Sequence, residues 1–590
     1  MPTELDSQFW RACDILRRDD NTQSLLDYVE QISWLLFLKS FEDLEDTRVD
    51  EAAYRNEAYL RVIDGYYRWS VWTGGRVRRG RDELRQAQAS QRAAQKALVE
   101  VETAEAPATG MAEAARQELD RANHQVTAAT EKLDAEIQAQ RDALTPLLDS
   151  DENSPQMAEA LIARTDPKAL LRFLDTCLFP HLRDLNGSPE RGIVKQLFEE
   201  TPSKMVKDGN ILRDAIDVVD AIDFHAPENV YTLSHLYESL LAKLGREGGM
   251  SGEFYTPRGI IEFMVEMVDP RLGETVYDPA CGSAGFFVGA YAHMQKQSPL
   301  ASDYRQLQTE TFHGQEKKPL PYLLGVMNSI LHGISVPDIL RKNTLSEDVR
   351  KFTERDRYHV VLTNPPFGGT ENVKSIEVNF RHPSSATSIL FLQHIMAKVR
   401  RDGRVGMVID EGVLFKTNER SYVETKKELL EEYNLYAIIS LPAGVFANVT
   451  SSGTGPKTNL LFFNHLGPTQ RVWYYEVRAV GFSLTRTQKA IPENDLPDCL
   501  AMWRAYDAWQ RLPTEERSPG PPLNERCWVV PCDELVKRGY DLSARNPSRQ
   551  NGFAHRPPEE LAADLADKQA RIAELIAEIQ ELLAGENAEQ

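Results

Sequence analysis

A chain of 590 residues, of which 42% are hydrophobic and 27% are charged, has the composition of a globular protein of about two to four domains. No apolar run approaches the ~20 residues of a membrane-spanning helix. The first residues lack a signal peptide's basic and apolar regions, so we expect a cytoplasmic protein without membrane contact. The net charge of −21 is unusual for a protein that binds nucleic acid alone, because phosphate contacts supply much of the affinity. Either a local basic groove is hidden by acidic helices or a partner contributes much of the binding, and we expect both, with the partner more important.

The six cysteines are scattered along the chain. None has the paired spacing of a zinc site, and Cys527 and Cys532 are better explained as buried thiols than as ligands. We therefore expect reduced thiols and no metal.

Residues 1–240 are predicted to form an N-terminal helical domain. Apolar side chains recur at helical spacing in residues 5–75, and the same kind of pattern returns after residue 150. The tryptophans and phenylalanines of this part are expected to belong to its core.

An insertion at residues 76–148 is rich in alanine, glutamine, arginine and glutamate. Leu119, Val126 and Leu133 recur there every seven residues, and a break at 106–110 separates two arms. This pattern predicts an antiparallel helical hairpin. The hairpin is either a solvated insertion without function or a contact surface for a partner subunit or DNA.

Residues 241–480 are predicted to form the catalytic domain, which begins with a glycine-rich loop and the motif GEFYTPR. Thr256 is expected to cap a helix in which Pro257 is the first residue and which runs to Val268. Ordinary capping explains this pattern. The free N–H groups of the helix start would also suit the carboxylate of a small ligand.

The segment TVYDPACGSAGF, residues 275–286, joins a predicted strand to a helix. The apolar run ends at Asp278, and Gly282, Ser283 and Gly285 lead into the helix. Small side chains let a ligand approach the backbone, and a helix N-terminus offers N–H groups to an anion. Because such turns are common in α/β folds, the motif points to a ligand site only together with its neighbours.

The next predicted strand, FHGQE, ends in the carboxylate of Glu316. A carboxylate one βα unit after a glycine-rich turn suits the two hydroxyls of a ribose. The alternative is a solvated glutamate that caps a helix.

The stretch YHVVLTNPPF predicts a buried strand that stops at Asn364, because Pro365 and Pro366 remove two backbone donors. In open α/β sheets ligands bind at the carboxyl ends of the strands. There the side-chain oxygen of Asn364 and the carbonyl of Pro365 can both accept hydrogen bonds from one exocyclic amino group. Phe367 can stack on the ring that carries this group. The alternative is a Pro-Pro turn that only ends a strand.

Helical and strand patterns alternate from residue 254 to about 477, which predicts a mainly parallel sheet with helices on both faces. Residues 481–590 are expected to be proline-rich and irregular and to end in an amphipathic helix. Its apolar seam consists of Leu561, Leu565, Ile572, Leu575, Ile579 and Leu582. A seam of about three heptads requires a partner surface, either another subunit or this chain itself.

The motifs GEFYTPR, DPACGSAGF, GQE and NPPF, in this order, resemble those of S-adenosylmethionine-dependent N6-adenine DNA methyltransferases. The chain is most similar to the modification subunits of type I restriction-modification systems. The resemblance covers roughly residues 5–75 and 150–470, so the hairpin lies outside it. It implies an α/β fold of the class I methyltransferase type, a Rossmann-like and mostly parallel sheet with an antiparallel strand near its end.

The resemblance also implies roles for single residues. The expected catalytic residues, which receive the target adenine, are Asn364, Pro365, Pro366 and Phe367. The expected cofactor-binding residues are Tyr255, Thr256, Pro257, Asp278, Ala280, Gly282, Ser283, Gly285, Glu316 and Asn343. Asn343 departs from the family, which has an aspartate in contact with the cofactor adenine. An amide both donates and accepts hydrogen bonds, so the substitution does not exclude binding.

The family implies that the chain methylates DNA together with a specificity subunit, with two copies of the chain per specificity subunit and, in some complexes, a nuclease subunit. Two other classes stay open. The NPPF motif also occurs in methyltransferases that act on RNA, on protein glutamine or in other DNA-defence systems. The chain could also be a scaffold that keeps the fold without turnover.

Overall fold

The computed structural model describes residues 4–103, 110–148, 166–200, 206–222, 256–297, 300–367, 379–446, 456–485, 488–513 and 515–548, with a few isolated positions between them. Three predicted features lie outside the described residues. They are the glycine-rich loop at 245–253, most of the loop that follows Phe367, and the C-terminal seam at 561–583.

The N-terminal part is helical, as the apolar spacing predicted. Its helices are α1 Glu4–Leu16, α2 Leu25–Tyr54, α3 Trp69–Trp72, α4 Gly75–Glu102, α5 Met111–Leu148, α6 Pro167–Phe173, α7 Phe179–Arg183, α8 Pro189–Glu200 and α9 Gly209–Asp220. A 3-10 turn, Gly65–Tyr67, precedes α3, and a π-helical turn, Leu174–Leu178, joins α6 to α7. Trp34 and Phe37 of α2 are fully buried, so the aromatic residues form the core, as expected.

Helices α4 and α5 are the two arms of the predicted hairpin. Leu98 of α4 and Leu133 of α5 are buried, and Leu133 belongs to the heptad that the sequence indicated. A hydrogen bond links the arms at mid-length, where Gln91 Nε2 donates to Asn123 Oδ1 at 2.8 Å. The hairpin prediction is confirmed.

Nine of the described strands form one sheet. They are β1 Val276–Asp278, β2 Phe312–Glu316, β3 Asp338–Arg341, β4 Tyr358–Thr363, β5 Val399–Asp410, β6 Asn434–Ser440, β7 Thr458–Asn464, β8 Arg471–Glu476 and β11 Cys527–Pro531. Their order across the sheet is β11-β8-β6-β7-β5-β4-β1-β2-β3. Two further strands, β9 Val480–Phe482 and β10 Ala490–Asn494, pair separately.

The first five strands are parallel, and β7 lies antiparallel between β5 and β6. This is the class I methyltransferase topology that the resemblance implied. β1 and the carboxyl half of β4, at the centre of the sheet, are buried on both faces, which explains the apolar residues of these strands, whereas the edge strand β3 is mostly exposed.

Helices cover both faces of the sheet. They are α10 Arg258–Val268, α11 Gly285–Gln295, α12 Ala301–Thr309, α13 Pro319–Leu331, α14 Thr387–Lys398, α15 Glu411–Phe415, α16 Arg420–Glu432, α17 Leu496–Arg511 and α18 Cys532–Lys537. Three 3-10 turns, Thr344–Ser346, Val349–Lys351 and Glu354–Asp356, follow β3. Phe462 and Phe463 of β7 are both fully buried and belong to separate cores on opposite faces, because neighbouring strand residues point in opposite directions.

The N-terminal helices pack directly against the catalytic domain. Helices α2 and α8 contact α13, and Arg48 Nη2 of α2 donates to Ser335 Oγ at 3.0 Å. The buried residues of α2 and α13 belong to one continuous core. The two predicted domains therefore share an apolar interface.

The prediction that residues 481–590 are irregular is wrong for the described part. Helix α17 packs against α10, and β11 adds an antiparallel edge strand next to β8. This strand was not predicted from the sequence because the segments on either side of it are rich in proline. An edge strand tolerates prolines because only one of its sides is paired, and Pro531 ends β11.

None of the described helices is long and apolar enough to cross a membrane. All six cysteines are free; Cys527 is buried and Cys532 is partly buried. Within the described ranges no group of histidine, cysteine or acidic side chains could hold a metal ion.

Candidate active site at the carboxyl ends of β1 and β4

The strand order reverses between β1 and β4, since β2 and β3 lie on one side of β1 while β4 and β5 lie on the other. Ligands of open α/β sheets bind at such switch points. Asp278 ends β1 and Thr363 ends β4, and Thr363 Oγ1 donates a hydrogen bond to Asp278 Oδ1 at 2.6 Å. This bond ties together the two strand ends that carry the predicted cofactor and substrate residues.

Asn364 directly follows β4 and is half-buried. Its Nδ2 donates to Thr256 Oγ1 at 2.9 Å. Its Oδ1 is buried and accepts no hydrogen bond from the part of the chain that the structure describes. Most buried polar atoms have a partner, so this oxygen is a candidate acceptor for a donor group of a ligand. The amide is held by its nitrogen and offers its oxygen.

The predicted role of Thr256 as a helix cap is wrong. Pro257 is in extended conformation and occupies the cap position, α10 begins at Arg258, and no side chain caps this helix. The hydroxyl of Thr256 orients Asn364 instead. Tyr255 lies outside the described residues.

Asp278 is a buried carboxyl, with a side chain only 1% exposed. Burial raises its pKa to about 7, and the neighbouring carboxyl of Glu316 adds to the rise. Hydrogen bonds from Thr363 Oγ1 and from the N–H of Ala280 act in the opposite direction. Both donors are neutral, so a cation beside Asp278 would favour its ionised form.

The glycine-rich turn between β1 and α11 is held in an unusual conformation. Gly282 has φ +51° and Ala284 has φ +60°, and Ala284 immediately precedes the helix. Helix α13 approaches closely, because a Cβ added to Gly325 would lie 2.5 Å from the carbonyl oxygen of Gly282. Asn328 Nδ2 of α13 also donates to the Ser283 carbonyl at 2.8 Å. Contacts with α13 therefore hold the backbone of the glycine-rich turn in place.

Glu316 ends β2, as predicted, and its carboxylate closes the other side of the turn. Oε2 accepts from the N–H of Gly282 at 3.1 Å, and Oε1 accepts from the N–H of Lys318 at 2.8 Å. Burial raises the pKa of Glu316. Each carboxylate oxygen has a second lone pair, so Glu316 keeps acceptor capacity for hydroxyl donors.

Asn343 lies at the same edge, just after β3. Its Oδ1 accepts from the N–H of Leu345 at 3.2 Å and starts a 3-10 turn. The N–H of Lys342 donates to the Glu316 carbonyl at 2.9 Å, and Thr344 Oγ1 donates to the Pro279 carbonyl at 2.6 Å. These bonds bring the segment of Asn343 beside both the glycine-rich turn and Glu316.

Phe367 is half-buried and meets Phe446 edge-on, with ring centroids 5.6 Å apart and an interplanar angle of 62°. Thr387 Oγ1, at the start of α14, donates to the Pro366 carbonyl at 3.3 Å. The end of the NPPF segment is thus held by a hydrogen bond to Pro366 and by a ring contact with Phe367.

The sequence did not reveal several residues that build this edge. They are Thr363, Thr344, Asn328, Gly325 and Phe446. Thr363 was included in the predicted strand only because its β-branched side chain favours strands. Its position opposite Asp278, at the ends of two strands predicted to be parallel, was the one signal that could have identified it.

A model of the N-6 DNA Methylase family matches residues 229–555, more than half of the chain. The chain belongs to this family. A model described as HsdM N-terminal domain matches residues 5–119 and runs through α4. The first arm of the hairpin therefore lies inside a family domain, contrary to the expectation that the whole hairpin stands apart.

Among curated relatives, this N-6 DNA methylase is 36% identical to the type I restriction enzyme EcoEI methylase subunit of Escherichia coli, over 70% of this chain and 82% of the relative. It is 30% identical to the StySJI methylase subunit of Salmonella typhimurium, over 50% of this chain and 57% of the relative. The chain is accordingly a methylase subunit of the type I restriction class.

Solved structures agree with this family membership. A chain from a study of assembly and conformational transition of a type I restriction-modification system shares 36% identity, covers 99% of both chains and has a TM-score of 0.62. A modification subunit of a putative type I restriction enzyme from Vibrio vulnificus shares 29% identity, with a TM-score of 0.67 over 93% of this chain and 97% of that one.

Proposed function

We propose that this methylase subunit transfers a methyl group from S-adenosylmethionine to N6 of adenine in DNA, within a type I complex whose specificity subunit selects the site. The observation that carries the proposal is the buried Oδ1 of Asn364, which accepts no hydrogen bond from the described residues, in an amide whose nitrogen is fixed by Thr256. An adenine amino group supplies the donor that this oxygen lacks.

The residues at the strand ends fit S-adenosylmethionine. When bound, this cofactor supplies a methyl group on a positively charged sulfonium. The buried carboxyl of Asp278 accepts from two neutral donors, Thr363 Oγ1 and the N–H of Ala280, and suits the cofactor's ammonium group. The first turn of α11 offers N–H groups without intrahelical partners to a carboxylate. The spare acceptor capacity of Glu316 suits ribose hydroxyls, and Asn343 is the candidate contact for the cofactor adenine.

The main contribution of the protein to this reaction is to orient the adenine amino group toward the methyl group. The lone pair of the adenine amino group is delocalised into the ring, so this nitrogen is a poor nucleophile while it is planar. Asn364 Oδ1 and the Pro365 carbonyl accept hydrogen bonds from its two N–H groups and favour a tetrahedral nitrogen aimed at the methyl group. Orientation and electrostatic stabilisation of this kind account for large rate enhancements in enzymes.

The target adenine must leave the duplex stack to reach this edge of the sheet. Phe367 follows the two prolines directly and offers an aromatic ring for the extruded base to stack on. Phe446 packs edge-on against that ring and limits its rotation. The base would thus be held by one stacking contact and two hydrogen bonds.

Other subunits are part of the proposal. The net charge of −21 does not suit a chain that grips DNA alone, so a specificity subunit would supply site selection and many of the phosphate contacts. We expect two copies of this chain per specificity subunit, with a nuclease subunit joining some complexes. The seam at 561–583, outside the described residues, is the candidate contact.

The experiment offers DNA, RNA and protein substrates to the chain copurified with its specificity subunit, with radiolabelled S-adenosylmethionine. Label in DNA that is recovered as N6-methyladenine after nuclease digestion supports the proposal. Label in RNA or in glutamine would replace it with the other methyltransferase functions of the NPPF motif. Failure to bind S-adenosylmethionine by calorimetry would instead indicate a scaffold.

A further inference from the structure

One face of α4 carries a continuous row of basic side chains, which we call the basic stripe: Arg81, Arg85, Arg92 and Lys96. Their spacings of four, seven and four residues place them within about 60° of one another around the helix. Asp82 and Glu100 lie along one edge of this face, and Glu83 and Glu102 lie on other faces of the helix. The stripe extends over ~22 Å of the helix at ~1.5 Å per residue.

The stripe is accessible to solvent. Arg85, Arg92 and Lys96 are exposed, and Arg81 is half-buried. Arg85 pairs with Asp82 at 3.3 Å and Lys96 with Glu100 at 3.7 Å, but all four side chains of these pairs are more than half exposed. Exposed pairs of this kind contribute little and are readily exchanged. Among the described residues, Arg81 and Arg92 have no carboxylate partner.

The charges of the hairpin are segregated between its arms. Helix α4 has seven basic and four acidic residues, a net charge of +3. Helix α5 has four basic and seven acidic residues, a net charge of −3. In a chain of net charge −21, a basic arm beside an acidic one concentrates positive potential on one side of the hairpin.

The base of the hairpin is fixed to the N-terminal domain. The buried carboxylate of Asp220 accepts from Trp69 Nε1 at 3.0 Å, from Arg78 Nη2 at 2.8 Å and from Arg79 Nη1 at 2.7 Å. Gly75 leaves room for this contact, since a Cβ there would lie 2.5 Å from the Asp220 carboxylate. Arg78 and Arg79 neutralise Asp220, so the stripe beyond them is free for another anion.

We propose that the basic stripe contacts the phosphate backbone of duplex DNA, independently of sequence. The inference rests on the proposed function, because it takes DNA as the substrate. A duplex presents one negative charge per ~1.7 Å of its axis, so a straight row of cations on a rigid helix can face several phosphates at once. The stripe would be a DNA contact that this acidic chain makes itself, in addition to those of the specificity subunit.

The test compares two triple variants of the full chain, assembled with the specificity subunit. The stripe variant is Arg85→Gln, Arg92→Gln and Lys96→Gln. The control variant is Arg116→Gln, Arg121→Gln and Lys132→Gln, which removes the same charge from exposed positions on α5. Glutamine is a good helix former, and circular dichroism checks that both variants keep their helix content.

The readout is the salt dependence of binding to a fluorescently labelled duplex without the recognition site. Each lost phosphate contact lowers the slope of log affinity against log salt by ~0.9, so the stripe variant should lose between about 1 and 3 slope units. The control should keep the wild-type slope. Replacing the two arginines by lysine, with Lys96 kept, should also preserve it, because phosphate requires only the charge.

Equal slopes for the stripe variant and the wild type would overturn the inference. So would loss of the specificity subunit from the stripe variant alone, measured by light scattering, because the stripe would then be a protein contact. Methylation at low salt and saturating DNA should persist in the stripe variant. Absence of methylation by the wild type would contradict the proposed function and not this inference.

Discussion

Thr256 and Asn364 are 108 positions apart in the sequence, and the Oγ1 of Thr256 accepts a hydrogen bond from the Nδ2 of Asn364 at 2.9 Å. The bond decides which end of the amide faces the ligand. With the nitrogen engaged, Oδ1 is left as the acceptor for the adenine amino group. The threonine of the motif GEFYTPR therefore contributes to the substrate site by orienting the side chain of Asn364.

Replacing Thr256 by valine should lower the methylation rate while the shape of the site is kept. Loss of one hydrogen bond of this kind costs about 0.5–1.5 kcal/mol, so kcat should fall roughly two- to tenfold. Thr256→Ser keeps the hydroxyl and should recover most of the rate. Single-turnover methyl transfer by the assembled complex separates this effect from cofactor binding. Equal rates for the valine and serine variants would show that the hydroxyl of Thr256 does not position Asn364.

The raised pKa of Asp278 predicts that the stability of the protein depends on pH. Its folded pKa of about 7 lies above the ordinary value of 3.8, so the folded state binds this proton more tightly than the unfolded state. The resulting contribution to the free energy of unfolding is fully present below pH 3.8 and is lost as the pH rises to about 7. Asp278→Asn cannot ionise and should be free of this loss.

The thermal midpoint of cofactor-free Asp278→Asn should therefore rise relative to wild type as the pH is raised from about 5 to 8. A difference that stays constant over this range would show that the carboxyl of Asp278 ionises normally. Thr363→Val serves as a second comparison, since loss of the bond from its hydroxyl should raise the pKa of Asp278 further.

Gly325→Ala should disturb the glycine-rich turn. The added Cβ would lie 2.5 Å from the carbonyl oxygen of Gly282, and both the turn backbone and α13 resist the shift that this requires. Overpacking of this kind costs about 1–3 kcal/mol, which corresponds to S-adenosylmethionine binding weakened by roughly five- to 150-fold. Gly192→Ala in α8 has no heavy atom within 4 Å of its added Cβ and is the matched control. Calorimetric titration that gives both variants wild-type affinity would contradict the role of the turn.

Deletion of residues 557–590 should weaken assembly with the specificity subunit and leave S-adenosylmethionine affinity unchanged. The reason is the apolar seam at 561–583, which requires a partner surface. Size-exclusion chromatography with light scattering measures the assembly, and cofactor titration supplies the control. If the truncated chain formed a complex of wild-type mass and stability, the seam would serve the chain's own fold.

Much of this site could be predicted from the sequence, because its main residues lie where strands stop. Asp278 and Asn364 end or follow strands with recognisable apolar sequences, and Glu316 ends the strand predicted one βα unit after the glycine-rich turn. The parallel order then places all three at one edge of the sheet. Local patterns were sufficient because the alternation of helix and strand fixes the direction of each strand.

Contacts between distant segments could not be predicted in this way. The local pattern predicts a cap at Thr256 because threonine before proline usually caps a helix, and no local pattern indicates its tertiary contact with Asn364. Strand β11 was missed because its apolar run is short and flanked by prolines, and pairing with β8 stabilises it. In both cases tertiary contacts outweighed the local preference.

The central claim is that Asn364 Oδ1 accepts a hydrogen bond from the adenine amino group, and Asn364→Ala tests it most directly. Methyl transfer from radiolabelled S-adenosylmethionine to DNA should be measured for this variant and wild type, each assembled with the specificity subunit. Cofactor and DNA affinities should be measured beside it to confirm an intact site. We expect kcat to fall by roughly 10²–10³, the usual cost of losing one group that stabilises a transition state. A variant that methylates DNA at a near-normal rate would contradict the mechanism.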